Sequence, residues 1–257
     1  MSDALNRFRL DGRIVLVTGA SSGLGTHFAH LLASAGARVA MAARRADKLK
    51  ALVETIEAAG GEARALSLDV TDSASVRNCY DELASWGTPD VVVNNAGITV
   101  TRPLLEQTEG DFDSVIGTNL KGCWLVATEA ARRMVAAGRG GSIVNIASIL
   151  GERVAGGVAP YAISKAGVVQ TTKAMALELA RYRIRVNALL PGYVVTDLNR
   201  DFLISEAGDK LRSRIPSRRF GELTDLDGPL LLLASDAGAA MSGTTVVVDG
   251  AHLVSSL

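Results

Sequence analysis

The chain has 257 residues, 48% of them hydrophobic and 21% charged, enough for one large α/β domain with a substantial core. A formal net charge of +0 and an aromatic content of 4% exclude an electrostatic footprint for nucleic acid or anionic lipid and argue against base-stacking platforms. The first residues carry Asp3, Arg7, Arg9 and Asp11 and do not read as a signal peptide, and no run reaches the roughly 18 apolar residues of a membrane span. Cys79 and Cys123 form no metal or redox motif and read as reduced thiols of a cytoplasmic protein.

Short β-branched runs alternate with alanine-rich helical stretches. Strands are expected at Ile14–Thr18, Arg38–Ala42, Ala65–Leu68, Val91–Asn94, Ser142–Ala147, Arg185–Leu190 and Thr245–Val248, and helices near 24–35, 46–59, 73–86, 109–137, 159–181 and 226–235. The strand runs are almost continuously apolar, as suits strands buried on both faces. The alternation implies right-handed crossovers, and so an α/β, doubly wound parallel sheet of about seven strands in a single domain spanning 1–257. Ligands bind such sheets beyond the carboxyl ends of the strands. The polar stretch 194–221, with a short helix around Ser205–Arg212, follows a strand end and is expected to act as a substrate lid.

The first strand runs directly into Thr18-Gly19-Ala20-Ser21-Ser22-Gly23-Leu24-Gly25, which opens a helix. Glycines there permit a tight turn and close backbone approach, and the helix N-terminus offers free amides and a positive dipole end to a pyrophosphate. The second strand ends at Met41-Ala42-Ala43-Arg44-Arg45 without the carboxylate that would accept from ribose hydroxyls. Arg44 would instead pair with a 2′-phosphate, favouring NADP(H) while leaving NAD(H) possible. Asp69-Val70 ends the third strand, where the aspartate would reach an adenine amino group. Asn94-Asn95-Ala96-Gly97 ends the fourth. Two asparagines leaving a buried strand need bonded amides. Asn94 is expected to stabilise the sheet, with Asn95, Ala96 and Gly97 bordering the nucleotide.

Ser148 is followed by Tyr161 and, four residues later on the same helix, by Lys165. Positions i and i+4 share a helix face, so an ammonium would sit beside a phenol and ease movement of its proton. Tyr-x-x-x-Lys is weak evidence alone, because a surface pair has the same spacing.

With these residues assembled, the chain resembles the short-chain dehydrogenase/reductase family, in its single-domain branch, from Leu10 to Gly250. The resemblance rests on Thr18–Gly25, Asp69, Asn94–Gly97, Asn119, Ser148, Tyr161, Lys165 and Pro191-Gly192, in order and spacing. It implies a Rossmann-type fold and hydride transfer between a nicotinamide and a carbonyl or secondary alcohol. Tyr161 would be the acid in reduction and the base in oxidation. Lys165 would assist it and bond the nicotinamide ribose, and Ser148 would donate to the substrate oxygen. Asn119 would hold a water relaying protons to the lysine, or mark a local kink satisfied by water. In the loop Pro191–Thr196, the Val194 backbone and the Thr196 hydroxyl would bond the carboxamide. Gly19, Ser21 and Leu24 would line the phosphates. Helices 109–137 and 159–181 are apolar on more than one side, and the family pairs subunits through them, so a homotetramer is expected. Similarity to 3-oxoacyl-[acyl-carrier-protein] reductases is general. Gly156–Pro160 and Leu105-Glu106-Gln107 fit them less well, which leaves sugar-acid, steroid and other secondary-alcohol substrates open. An NAD(H)-preferring dehydrogenase and a catalytically silent nucleotide-sensing protein are the competing readings.

His27 and His30 lack a third ligand and read as packing or surface residues, so no metal is expected. Arg212, Arg214, Arg218 and Arg219 read as a solvated face, and Asp249-Gly250 as a strand-end turn.

Overall fold

The apolar runs form the strands of one sheet. The computed structural model describes residues 3–196 and 199–256. Its strands are β1 Ile14–Thr18, β2 Arg38–Ala43, β3 Glu62–Ser67, β4 Val91–Asn94, β5 Gly141–Ile146, β6 Ile184–Pro191 and β7 Thr245–Val248. They pair in parallel in the order β3-β2-β1-β4-β5-β6-β7. The helices are α1 Asp3–Asn6, α2 Gly23–Ser34, α3 Ala46–Ala58, α4 Ser73–Leu83, α5 Glu109–Ile116, α6 Cys123–Ala136, α7 Ala159–Leu179, α8 Arg200–Leu203, α9 Glu206–Arg212 and α10 Asp227–Ala234.

Side chains alternate across the sheet because successive strand residues point to opposite faces. Val15 and Val17 of β1 join a core layer with Phe28 and Leu32 of α2, Leu49 and Ile56 of α3, and Leu230 and Leu233 of α10. Leu16 faces the other layer, with Val76 and Leu83 of α4, Val126 and Met134 of α6, and Ala176 of α7. Strand order reverses between β1 and β4. Open α/β sheets bind ligands beyond the carboxyl ends of the strands at such a reversal.

Two elements depart from expectation. β3 starts at Glu62, ahead of the expected Ala65, and pairs fully with β2 from Arg38↔Glu62 to Ala43↔Ser67. It is an edge strand, so the charged Glu62 and Arg64 keep access to solvent and no continuous apolar run is needed. The expected helix 109–137 is interrupted: between α5 and α6, Gly117–Gly122 is a π turn. π turns relax the strict i→i−4 ladder and recur at functional sites. Here the turn carries Asn119, only 1% exposed.

Gly122 lets this turn approach the end of β3. A Cβ there would lie 2.7 Å from Val70 Cγ2 and 3.2 Å from the Val70 carbonyl oxygen. Gly122→Ala should therefore destabilise the protein by about 1–3 kcal/mol through overpacking. An unchanged urea midpoint would show that the turn tolerates a side chain.

Candidate active site

The glycine-rich loop links β1 to α2 through two left-handed glycines, Gly19 (φ 64°) and Gly23 (φ 55°). Its shape depends on contact with β4. Thr18 Oγ1 accepts from the backbone N–H groups of Asn95 (3.1 Å) and Ala96 (3.2 Å), and Asn95 Nδ2 donates to the carbonyls of Thr18 (3.1 Å) and Gly19 (3.2 Å). A Cβ on Gly25 would fall 2.3 Å from the Gly19 oxygen and 2.6 Å from Asn95 Nδ2. Asn95 and Ala96 thus brace the loop. Ser22 is the N-cap of α2, and its side chain makes no capping bond, so it does not consume the first amides of the helix.

At the end of β2 both arginines are exposed. Arg45, which was not singled out from sequence, reaches across to the loop: its Nη2 donates to Ser21 Oγ (2.9 Å) and Ser22 Oγ (3.3 Å). Arg44 lies within electrostatic reach of Asp69. The signal for Arg45 was present in the Arg44-Arg45 pair, since consecutive residues leaving a strand diverge. Asp69 Oδ1 accepts from the Thr71 backbone (2.9 Å) and hydroxyl (2.7 Å), and these bonds hold its carboxyl below the usual range. Val70 is buried beside it.

Asn94 donates to Asn145 Oδ1 at 2.9 Å, and Asn145 in turn donates to Thr172 Oγ1 at 2.9 Å. This amide ladder ties β4 and β5 to α7.

The π turn saturates Asn119. Its Oδ1 accepts from Ile98 N (2.8 Å), while its Nδ2 donates to Ile98 O (2.9 Å) and Ser164 Oγ (3.0 Å). The helix is irregular at Asn119, and Ile98 and Ser164 supply these partners. Gly97 lies between Asn119 and Lys165: a Cβ there would be 3.3 Å from Asn119 Oδ1 and 3.6 Å from Lys165 Nζ.

Ser148 lies just past β5, where its Oγ accepts from Leu150 N at 3.1 Å and caps a short 3₁₀ turn. Its hydroxyl is near enough to the Tyr161 phenol to act to lower that phenol's pKa. Lys165 is 4% exposed. Its Nζ donates to Ile146 O at 2.7 Å and lies 5.5 Å from the centre of the Tyr161 ring. Burial dominates both titrations. It pushes the phenol up, against the Ser148 hydroxyl, and pulls the ammonium down to about 8, against a weaker influence of Cys123. Tyr161 and Lys165 share a helix face as their spacing requires, but burial and Ser148, not the lysine charge, set the phenol.

Past β6, Gly192 packs on Asp249. The Val194 carbonyl accepts from Asn199 Nδ2 (2.9 Å), and Thr196 N donates to Asn199 Oδ1 (2.8 Å). The Thr196 methyl lies close enough to touch a Cβ placed on Gly23 (3.8 Å), so this loop overhangs the glycine-rich one. Segment 194–221 contains α8 and α9 and is closed at its base by the Val194↔Gly221 bridge. Arg219 pairs with Asp225 at 2.6 Å and Arg212 with Asp209 at 2.8 Å, as a solvated face would. Tyr193, also not singled out from sequence, is half-buried and electrostatically coupled to Tyr161. His27 pairs with Asp227 at 2.6 Å, joining α2 to α10.

A family model described as enoyl-(acyl carrier protein) reductase matches residues 19–251. The chain is 37% identical over 248 residues to D-threitol dehydrogenase of Mycolicibacterium smegmatis, covering 96% of this chain and 95% of the relative. It is 40% identical over 237 residues to a 3-oxoacyl-[acyl-carrier-protein] reductase of Staphylococcus epidermidis, covering 91% and 96%. The crystal structure of a gluconate 5-dehydrogenase from Burkholderia cenocepacia, in complex with NADP and tartrate, superposes with a TM-score of 0.94 at 38% identity, covering 98% of this chain and 99% of that one. A fold, a loop and a site of this kind, with similarity over nearly the whole length, place the chain in the short-chain dehydrogenase/reductase family of oxidoreductases.

Proposed function

We propose that the protein transfers a hydride between NADP(H) and a carbonyl or secondary-alcohol substrate, with Tyr161 as the general acid and base. The convergence of Ser148, Tyr161 and Lys165 at the carboxyl end of β5 carries this reading. The crevice fits a dinucleotide. The loop is free of Cβ atoms where a backbone must come close, the first amides of α2 are not capped by Ser22, and Arg45, Ser21 and Ser22 form a polar corner beside it. When bound, the nicotinamide supplies or accepts the hydride. Gly19, Ser21, Ser22, Gly23, Leu24 and Gly25 would hold the phosphates, Asp69 and Val70 the adenine, and Asn95, Ala96 and Gly97 the inner wall. Pro191, Gly192, Val194 and Thr196 would border the nicotinamide.

Ser148 donates to the substrate oxygen and stabilises charge developing there. Tyr161 moves the proton to or from that oxygen. Lys165 holds positive charge beneath the phenol and would bond the nicotinamide ribose, and Asn119 fixes the backbone at Ile98 so that Gly97 can lie against the ammonium. Segment 194–221 closes over the substrate. Exposed Phe112, Trp124, Ile163 and Leu177 on α5, α6 and α7 support assembly through these helices into a homotetramer. Among the described residues no helix is long and apolar enough to cross a membrane, and we place the enzyme in the cytoplasm.

Tyr161→Phe should lower kcat by about 10²–10⁴-fold. Cofactor affinity should stay nearly unchanged, because the ring still packs. NADPH oxidation over a ketone panel reads this, and more than about a tenth of the unmodified kcat would remove Tyr161 from the role.

Lys165 titrates near 8, so it is charged below that pH and loses its charge as pH rises through it. The kcat/KM for ketone reduction should fall on the alkaline side with an apparent pKa near 8, shared with the tyrosine. Lys165→Met should lower the rate at every pH and abolish that limb. A limb that persists in this variant belongs to another group.

NADPH should be preferred to NADH. A charge-assisted pair to the 2′-phosphate contributes about 1.5–3 kcal/mol, or about ten- to a hundredfold in affinity. Arg45→Ala and Arg44→Ala, compared by kcat/KM for both cofactors, show which guanidinium supplies it. An unmodified enzyme that favours NADH overturns the cofactor preference and leaves the family intact.

A further inference from the structure

The carboxyl ends of three adjacent strands meet at the catalytic serine. Ile146 of β5 is paired with Leu189 of β6, and Pro191 of β6 with Val248 of β7. Ser148, Tyr193 and His252 follow these ends by a few residues each, so they emerge side by side. Tyr193 stacks against His252 with ring centres 5.8 Å apart. His252 is 5% exposed, and its Nδ1 finds no hydrogen-bond partner among the described residues. Arg153, at the end of the turn that begins at Ser148, donates from Nη1 to the His252 carbonyl. Asp249 caps the same turn through Ala251 N at 2.9 Å and through Leu253 N. Ser217 N, at the end of the lid segment, donates to Gly250 O at 3.2 Å. The C-terminal turn is thus fastened to the serine loop and to the lid, and it supports the face of Tyr193.

The Tyr193 phenol sits on this support without a hydrogen bond from its hydroxyl to any described residue. The hydroxyl is not sealed in: it keeps access to solvent, where a ligand can reach it. The phenol lies within electrostatic reach of Tyr161 and Arg153. It stands beside the groups that would process one substrate oxygen, within reach of a second oxygen on the same substrate.

We propose that Tyr193 determines specificity for substrates bearing a hydroxyl on the carbon next to the reacting one, that is, vicinal polyols and α-hydroxy ketones. The phenol hydrogen bonds to that neighbouring hydroxyl while Ser148 and Tyr161 engage the reacting oxygen. His252 acts as a positioning residue: its ring holds the phenol at the correct height above the serine. A simple secondary alcohol leaves the phenol unpartnered. This inference rests on the oxidoreductase reading above and adds the substrate class to it.

A matched pair differing by one hydroxyl tests it: butane-2,3-diol against butan-2-ol in oxidation, and 3-hydroxybutan-2-one against butan-2-one in reduction. Tyr193→Phe should lower kcat/KM for the hydroxylated member about three- to tenfold, as loss of one hydrogen bond does, and leave the simple member within about twofold. His252→Phe keeps a stacking ring and should retain the discrimination, whereas His252→Ala should lose it with cofactor affinity unchanged. Equal effects of Tyr193→Phe on both members, or none on either, overturn the proposal. Saturation-transfer NMR of butane-2,3-diol and butan-2-ol with the NADP-supplemented protein gives a second readout that needs no turnover. The oxidoreductase reading is tested separately by NADPH oxidation over the ketone panel; if the unmodified protein turns over neither pair, binding decides the proposal. The polyol site then stands or falls on whether the diol signal exceeds that of the alcohol and drops in Tyr193→Phe.

Discussion

A buried cation constrains the whole site. Lys165 is almost wholly removed from water, and its compensation comes from the Ile146 carbonyl at the end of β5. Burying an ammonium is unfavourable unless such partners are fixed beforehand. β5 must therefore end where it does, α7 must approach it at this height, and a side chain on Gly97 would crowd Asn119. The penalty has a defined pH dependence. The folded lysine titrates near 8, against about 10.5 for a lysine in water. Below about 8 both states are protonated and the folded state bears the full cost. Between these values the unfolded chain binds more protons, so stability rises with pH.

The nucleotide crevice is built from a second exchange of bonds, between β1 and β4. Thr18 and Asn95 lie on neighbouring strands and satisfy each other's backbones, so the glycine loop is held open by the sheet and not by a ligand. The amides of α2 keep their orientation because Gly25 packs against Gly19 and Asn95 with no room for a methyl group. This is preorganisation in a concrete form: the conformational cost of the loop is met when the sheet folds.

Much of this was legible in the residues. Parallel strands were readable because burial on both faces demands continuous apolar runs, and the Tyr161–Lys165 contact because helical spacing leaves little freedom. β3 was misplaced because an edge strand escapes that demand. Arg45 was overlooked because the residue facing the loop depends on how the chain leaves β2, which one-dimensional spacing does not encode. Tyr193 was overlooked for a different reason. Its surroundings come from β5, β6 and the turn after β7, so its role exists only once three distant segments meet. The π turn left a faint trace in Asn119, a poor helix former within an otherwise helical stretch.

That turn also changes how α5 and α6 relate to each other. A π turn inserts one residue into a helix, so positions before Gly117 and after Gly122 cannot share a single helical wheel. The face that α6 presents to α4 and β4 is advanced by about 100° relative to an uninterrupted helix of 3.6 residues per turn. Removing one residue between these glycines would let the backbone relax into an ordinary helix with its hydrogen bonds intact. The same deletion would leave Cys123, Val126 and Ala130 facing the core, whereas relaxing the turn to an ordinary helix with every residue kept would rotate them out of it by about 100°, or else swing α5 around. The irregularity sets the phase between α6, which packs the sheet, and α5, which packs on α7, and the amide of Asn119 locks it.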